Sequence, residues 1–248
     1  MKETRIMKIN HISWTLCFIM AALGMKAQPA LTGFTGLLQI PTANIHKDGT
    51  LLLGVGYTPA PYAILEPNKN GELSYYTNLT FLPFLEIVVG ATLPDNANGR
   101  WGIGDRKGLV RIQVLKERAN SWRPSVLIGF HDPFNSTSAI YGSGNGSNQN
   151  FNANYLVLSK TIKLKNHFDL SGHLGYGVPF RSVKNAQLSG LFGGMTVDYK
   201  NLVSVMVEYD TQKFNCGMKV LLFNRLYLTG ALLEMKAFTG GVNFRINL

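Results

Sequence analysis

The sequence has few charged residues, almost no cysteine and no long apolar run. Only 15% of its 248 residues are Asp, Glu, Lys or Arg, whereas an average soluble domain carries about 25%. Two cysteines are too few for a disulfide-stapled scaffold. The longest apolar run, residues 14–25, is shorter than the roughly 20 residues that a membrane-spanning helix needs. Any membrane spans of this protein therefore have to be strands.

The first 27 residues have the pattern of a signal peptide. Lys2, Arg5 and Lys8 precede a short apolar core, and Ala27 before Gln28 is a plausible cleavage point. The alternative, a buried N-terminal helix, is disfavoured because no amphipathic pattern follows. The segment carries +3 of the net charge of +10 and one of the two cysteines. The mature chain is therefore expected to carry +7 and to have no intramolecular disulfide.

The remainder of the chain is predicted to consist of strands. Apolar runs of about ten residues are separated by clusters of Gly, Pro, Asn and Asp. Within the runs, apolar and polar residues alternate, so one face meets an apolar medium and the other a polar one. The twelve runs are 50–58, 72–82, 84–93, 105–116, 123–132, 151–162, 167–177, 188–198, 202–210, 213–222, 226–234 and 236–247.

Three features indicate that the apolar faces meet lipid. The runs have the length of tilted transmembrane strands, their number is even, and their first eight connections alternate between long polar loops and short turns. The fold class is therefore predicted as all-β, a transmembrane antiparallel up-and-down β-barrel of about twelve strands. With the N-terminus in the periplasm, the long loops lie outside the cell. Ten aromatic residues near run ends are candidates for interfacial girdles, or pack against neighbours: Tyr57, Tyr75, Tyr76, Phe81, Phe84, Tyr155, Tyr176, Tyr209, Tyr227 and Phe244.

A segment without strand alternation precedes the barrel. Pro41 disfavours a central strand or a helix interior there. Residues 28–48 are therefore predicted to be a periplasmic lead-in or a short plug inside the lumen, with the barrel spanning residues 49–248.

Several short blocks resemble a known family. The opening block Gly36-Leu37-Leu38-Gln39-Ile40-Pro41-Thr42-Ala43 is similar to the start of the YjbH-type proteins, bacterial outer-membrane β-barrels associated with exopolysaccharide production. The resemblance covers about residues 33–180. Its further blocks are residues 48–51, 57–62, 85–86, 104–111, 129–132 and 155–160.

The sequence departs from the family pattern in three respects. The block around Asp105 has Gly108 and Val110 where a second acid is usual, residues 135–150 form a Gly/Ser/Asn insert, and the chain is short beside the long family members. The resemblance implies a location in the outer membrane of a Gram-negative bacterium and a non-enzymatic role in exopolysaccharide secretion or surface assembly. The expected partners are outer-membrane lipid, the barrel-assembly machinery during insertion, and an anionic polysaccharide or other secretion components.

Polar residues on the predicted inner face form the candidate binding cluster. The residues proposed for binding are Glu86, Lys107, Arg111, His173 and Arg245, and Asp169, Glu208 and Lys219 are also predicted to face the lumen. Two interpretations remain open: an ion-paired network that fills and stiffens the lumen, or a polar surface on which Arg and Lys contact the carboxylates of a sugar polymer. No cofactor is predicted, because the histidines lack metal-ligand spacing. No nucleic-acid partner is predicted, because the basic residues are scattered.

Two other functions compete with this hypothesis. The first is a general small-solute porin. The second is an outer-membrane lipid hydrolase, because a histidine, an acid and hydroxyl groups cluster at one run end, as a nucleophile and its base require. The residues of that cluster are His131, Asp132, Asn135, Ser136 and Ser138.

Overall fold

The structure is a computed structural model. It describes residues 27–63, 71–94, 105–118, 121–131, 153–179 and 188–248. The predicted signal peptide lies outside the described residues except for Ala27. Among the described residues, no helix has the length and the apolar character needed to cross a membrane.

The described residues form a closed antiparallel barrel in which every strand pairs with its neighbours in sequence. The barrel closes between the first and last strands, where Thr50 lies opposite Asn247 and Tyr57 opposite Gly240. The predicted all-β barrel of about twelve strands is therefore confirmed. The strands are β1 (Thr50–Thr58), β2 (Glu72–Leu82), β3 (Leu85–Pro94), β4 (Asp105–Leu115), β5 (Ser125–His131), β6 (Asn154–Lys163), β7 (Phe168–Val178), β8 (Gly190–Tyr199), β9 (Val203–Tyr209), β10 (Phe214–Leu222), β11 (Leu226–Leu233) and β12 (Ala237–Asn247). A one-turn 3-10 helix follows β1 at Ala60–Tyr62.

Several of the tight turns depend on pairs of residues with positive φ. Asn166 and His167, Lys200 and Asn201, and Phe223 and Asn224 occupy such pairs between strands. Two consecutive positive φ values are required by the hairpin turn whose twist matches that of its strands, and Asn tolerates this conformation better than most residues. These turns share one end of the barrel, the end at which β1 begins. This end is called the short-turn end below.

The outer surface of the barrel is apolar, and most of the inward-facing side chains of the wall are polar. Leu174 and Val205 are more than half exposed on the outside, whereas inward-facing Arg111 and Asn78 are fully buried. The alternation predicted from the sequence is thus present. The proposed aromatic girdle needs one correction: Tyr76, Tyr155 and Tyr227 are buried in the lumen, because their positions have the inward parity of their strands.

Residues 27–49, called the luminal segment below, lie inside the barrel. Leu38 and Ile40 of this segment are fully buried, and Leu37 packs in one cluster with Phe192 and Met206 of the barrel wall. A second cluster joins Phe34 to wall residues. The hydrophobic core therefore lies within the lumen, around the luminal segment, and not between layers of the sheet.

Inward-facing glycines make room for this core. A Cβ atom at Gly194 would lie 2.6 Å from Leu37 Cδ2 and 2.7 Å from the Val207 carbonyl oxygen. At Gly217 it would lie 2.9 Å from Leu38 Cδ2. The two distances to the leucine Cδ2 atoms are shorter than a carbon–carbon contact allows, so the luminal leucines sit where a side chain of the wall would otherwise be.

Gly194→Ala is expected to destabilise the barrel by about 1–3 kcal/mol, because the added methyl group overpacks the contact with Leu37. The measurement is the unfolding midpoint in urea of the purified protein in detergent. Gly172→Ala is the matched control, since a Cβ atom at this strand glycine meets nothing within 4 Å. Equal midpoints for the two variants would contradict the close packing of the luminal segment.

Candidate functional site

The candidate site is the luminal segment together with the polar side chains that hold it. The segment itself makes little regular structure: two isolated antiparallel bridges join Pro29 to Thr35 and Gly36 to Pro41, and Leu37 N–H donates to the Ile40 carbonyl at 2.9 Å to close a tight turn. Five further backbone hydrogen bonds lie within the segment, and the buried peptide groups that they leave need partners from the barrel wall.

Glu208 of β9 binds one side of this turn. Its carboxylate accepts hydrogen bonds from the backbone N–H groups of Leu38 and Gln39, each at 2.9 Å, and from that of Ile40 at 3.3 Å. Successive N–H groups that converge in this way form a concave anion site. Asn215 Nδ2 donates a further bond to the same carboxylate at 3.1 Å.

Lys219 of β10 binds the other side of the turn. Its ammonium group donates to the carbonyl oxygens of Gly36 at 2.8 Å and Leu37 at 2.6 Å. The turn is thus held by an anion at its N–H groups and a cation at its carbonyl groups. Because each bond involves a charged group, each is stronger than a bond between neutral partners.

A buried ion pair holds the two flanks of the turn from the opposite wall. Glu86 of β3 and Arg111 of β4 face each other in register, with 2.6 Å between Arg111 Nη1 and Glu86 Oε1 and no exposure of either side chain. Glu86 also accepts from the Thr35 N–H at 3.0 Å and from the Thr35 hydroxyl. Arg111 donates to the Thr42 carbonyl and, through Nε, to the Tyr155 hydroxyl at 3.0 Å. The pair therefore has the additional partners that a buried salt bridge requires.

Neutral side chains complete the attachment. Asn78 Nδ2 donates to the Gly33 carbonyl at 2.8 Å and Gln113 Nε2 to the Ala43 carbonyl at 2.6 Å. Ser159 Oγ accepts from the Ala43 N–H at 2.7 Å and lies 2.7 Å from His173 Nδ1. His173 therefore supports the segment through Ser159 rather than by direct contact.

The five residues predicted as a binding cluster all face the lumen, but they do not form one cluster. Glu86 and Arg111 meet at the luminal segment, whereas Lys107 lies over the Tyr76 ring, 5.8 Å from its centroid. Arg245 donates to the Tyr227 hydroxyl at 3.1 Å and to the Asn224 carbonyl near the short-turn end. Their predicted role in binding a polymer stays a prediction.

Several residues of the site were missing from the predicted cluster. Asn78, Gln113 and Ser159 have inward parity on their strands, and this parity is the sequence signal that would have included them. Glu208 and Lys219 were predicted to face the lumen but were not included in the binding cluster. Their importance depends on which part of the luminal segment lies beside them, and alternation alone does not report this.

His46 of the luminal segment is buried without a hydrogen-bond partner. Its side chain is 2% exposed, and neither ring nitrogen has a partner among the residues that the structure describes. Burial lowers the pKa of His46 to about 4; the negative charge of Glu86 opposes this shift, and the positive charges of Arg245 and Arg111 add to it. The imidazole is therefore neutral at pH 7, with one donor and one acceptor nitrogen.

The residues proposed for hydrolysis are only partly described. His131 is buried between the rings of Phe34 and Tyr155, with centroid distances of 5.3 and 5.0 Å. Asp132, Asn135, Ser136 and Ser138 lie outside the described residues, so the hydrolase hypothesis stays a prediction. In the described part of the chain, no group of three or more His, Cys, Asp or Glu side chains is arranged to hold a metal ion.

Comparison with known proteins supports the resemblance seen in the sequence. The family model YjbH, described as exopolysaccharide biosynthesis protein YbjH, matches residues 30–248. The match includes most of the luminal segment and all twelve strands, and so extends beyond residues 33–180. A search of curated proteins found no match.

Glu208→Ala is expected to loosen the luminal segment, because three buried N–H groups lose their acceptor. Leaving buried donors unsatisfied costs about 1–3 kcal/mol, so amide exchange at Leu38, Gln39 and Ile40 should accelerate about tenfold or more. The measurement is hydrogen–deuterium exchange of the protein in detergent.

Two further variants make this experiment specific. Glu208→Gln keeps one carbonyl oxygen and should give a smaller increase. Glu234→Ala removes an exposed carboxylate from the turn after β11 and should leave exchange at these amides unchanged, since exposed ion pairs contribute little. Unchanged exchange in Glu208→Ala would contradict the proposed attachment.

Proposed function

Because the chain belongs to the YjbH family, we propose that it is a non-enzymatic outer-membrane barrel that assists the secretion or surface assembly of an exopolysaccharide. The observation that carries this proposal is the combination of an apolar outer surface with a polar lumen occupied by the chain's own residues 27–49. The apolar outer surface supports the membrane location, and the occupied lumen supports the assisting role.

The membrane location is supported by the surface and the strand geometry. Nine of the twelve strands contain 9–11 residues, the length that a tilted strand needs to cross the hydrocarbon core. Closure between β1 and β12 leaves no unpaired sheet edge, as lipid requires. Apolar side chains that face outward on successive strands would be costly in water and are favourable in lipid.

The assisting role is supported by the occupied lumen. General porins need a water-filled channel, but here Glu86, Arg111, Glu208 and Lys219 hold a buried chain segment across the interior. A barrel closed in this way is better suited to contact a polymer or a secretion component at one of its ends than to pass solutes freely.

Deletion of the gene in the native bacterium is expected to reduce exopolysaccharide at the cell surface severalfold, while polymer accumulates inside the envelope. The measurement is quantification of polymer in surface and periplasmic fractions, with the wild-type gene on a plasmid as the control. Unchanged surface polymer and unchanged biofilm would contradict the proposal.

The purified protein is expected to show no stable open conductance in a planar lipid bilayer, because the luminal segment fills the pore. The double variant Glu208→Ala/Lys219→Ala is expected to show frequent openings, since it loses the charges that hold the turn. A stable, large conductance of the wild-type protein would contradict the closed lumen and favour the general porin.

A further inference from the structure

The outer rim of the barrel at the short-turn end carries a patch of aromatic and cationic side chains. Phe168 of β7 and Tyr199 of β8 lie opposite each other in register, with 4.9 Å between their ring centroids. Both side chains are exposed and have the outward parity of their strands. Lys200, the next residue of the chain, places its ammonium group 5.3 Å from the centroid of the Tyr199 ring. Two rings and a cation therefore lie together at the ends of two adjacent strands.

The turns on either side of these rings are joined to each other. The turn between β6 and β7 contains Lys165, and the turn between β8 and β9 contains Lys200; both lysines are exposed. The Lys200 N–H donates to the His167 carbonyl at 3.0 Å, and the Leu164 N–H donates to the Phe168 carbonyl at 2.8 Å. The backbone of the two turns thus holds both lysines on the same part of the rim.

The acids next to the two rings in the chain face the lumen. Asp169 and Asp198 lie opposite each other at inward parity, and Asp198 accepts a hydrogen bond from Gln28 of the luminal segment at 3.1 Å. Glu117, from the turn between β4 and β5, is paired with Lys160 at 3.1 Å. The two turns themselves, residues 164–167 and 200–202, contain no acid. The outward side of this part of the rim is therefore cationic.

An apolar surface continues from the rings along the outside of β7 and β8. Gly172 has outward parity on β7, and a Cβ atom there would meet nothing within 4 Å. Met195 lies opposite Gly172 in register, and both Met195 and Leu174 are exposed. The glycine therefore leaves a shallow gap between apolar side chains, where part of an acyl chain can lie with its apolar surface covered.

This arrangement fits a lipid with an anionic headgroup. Lysine ammonium groups bind phosphate oxygens through charge-assisted hydrogen bonds, and aromatic rings are favoured at the level of the headgroups. A zwitterionic headgroup brings a positive charge beside its phosphate, and the two turns offer no acid to receive that charge. The patch is therefore expected to prefer phospholipids of net negative charge.

Two other short turns carry an aromatic residue beside an arginine without such a patch. Trp122 precedes Arg123, and Phe223 is two residues before Arg225. Trp122 is 97% exposed and Phe223 is 89% exposed, so neither ring is packed against a neighbour. These arginines provide a matched control, because they carry the same charge at the same end of the barrel.

We propose that the rim patch, which comprises Lys165, Phe168, Gly172, Tyr199 and Lys200, binds one anionic glycerophospholipid of the membrane leaflet at the short-turn end. The phosphate lies between the two lysines, the glycerol region lies against the rings, and one acyl chain passes over Gly172. The proposal rests on the membrane location proposed above and is independent of the role in polymer secretion.

The test is a titration of the purified full-length protein, in a mild non-ionic detergent, with phosphatidylglycerol or with phosphatidylcholine of the same acyl chains. Native mass spectrometry counts the bound lipids. Phosphatidylglycerol is expected to bind about tenfold more tightly, the effect of one hydrogen bond to a charged group. Inorganic phosphate at the same concentration should not displace it, because phosphate lacks the acyl chain; full displacement would overturn a lipid site.

Matched charge variants separate the rim patch from the general field of this end. Lys165→Gln/Lys200→Gln is expected to lose the tenfold preference for phosphatidylglycerol, whereas Arg123→Gln/Arg225→Gln should keep it. All four side chains are exposed, so neither double variant should disturb folding.

Glycine variants test the position of the acyl chain. Gly172→Leu fills the gap beside Met195 and is expected to weaken phosphatidylglycerol binding severalfold. Gly230→Leu is its control, because this glycine has outward parity on β11 and the nearest atom to a Cβ there is 3.8 Å away. Equal weakening by the two variants would contradict the proposed position of the chain.

Equal affinity for the two lipids, or an equal loss of preference in the two charge variants, would overturn the site. Reconstitution of the wild-type protein into phosphatidylcholine and phosphatidylglycerol vesicles tests the membrane location separately. Insertion without a lipid preference would overturn the site and leave the membrane location intact. Failure to insert into vesicles of either lipid would overturn both.

Discussion

The structure depends on satisfying the peptide groups of a chain segment that is buried inside a barrel. A strand in a sheet obtains its hydrogen bonds from a neighbouring strand, but the luminal segment satisfies only part of its peptide groups by its own two bridges and backbone hydrogen bonds. Charged side chains of the wall replace the missing partners: Glu208 serves three N–H groups and Lys219 two carbonyl groups of one turn. Buried charges, which are costly when alone, are stabilised here because the dipoles of the turn surround them.

The same segment determines the distribution of apolar residues in the lumen. A barrel that turns its apolar face outward would have no core, yet Leu37 and Leu38 pack against inward-facing positions of β8 and β10. Glycine at Gly194 and Gly217 lets them approach the backbone of the wall closely. The interior is therefore a packed core with polar attachment points rather than a channel lined by solvated charge.

The strands, and which of their side chains point inward or outward, could be predicted from the sequence. The alternation of apolar and polar residues shows directly that the two faces of a strand meet different media. Tyr76 shows the limit of simpler signals: its position near a run end suggested an interfacial girdle, whereas its parity, shared with Ser74 and Asn78, correctly indicates the lumen.

The site itself could be predicted only in part. Inward parity identified Glu86 and Arg111, but the contact between Glu208 and Leu38 joins residues 170 positions apart. Such a contact follows from the closure of the barrel and from the path of the luminal segment within it. The luminal segment has no regular spacing of apolar residues from which its path could be predicted. Its apolar residues are equally consistent with a lead-in outside the barrel.

The energetics of the attachment restrict how such a barrel can act on a polymer. Release of the segment would break the bonds from Glu208 and Lys219 to five of its peptide groups and leave two buried charges without these partners, which is costly. A role that needs an open lumen would require a partner to supply this free energy, whereas contact at an end of the barrel requires none. The closed barrel therefore favours action at its ends, with the lumen serving to hold the luminal segment.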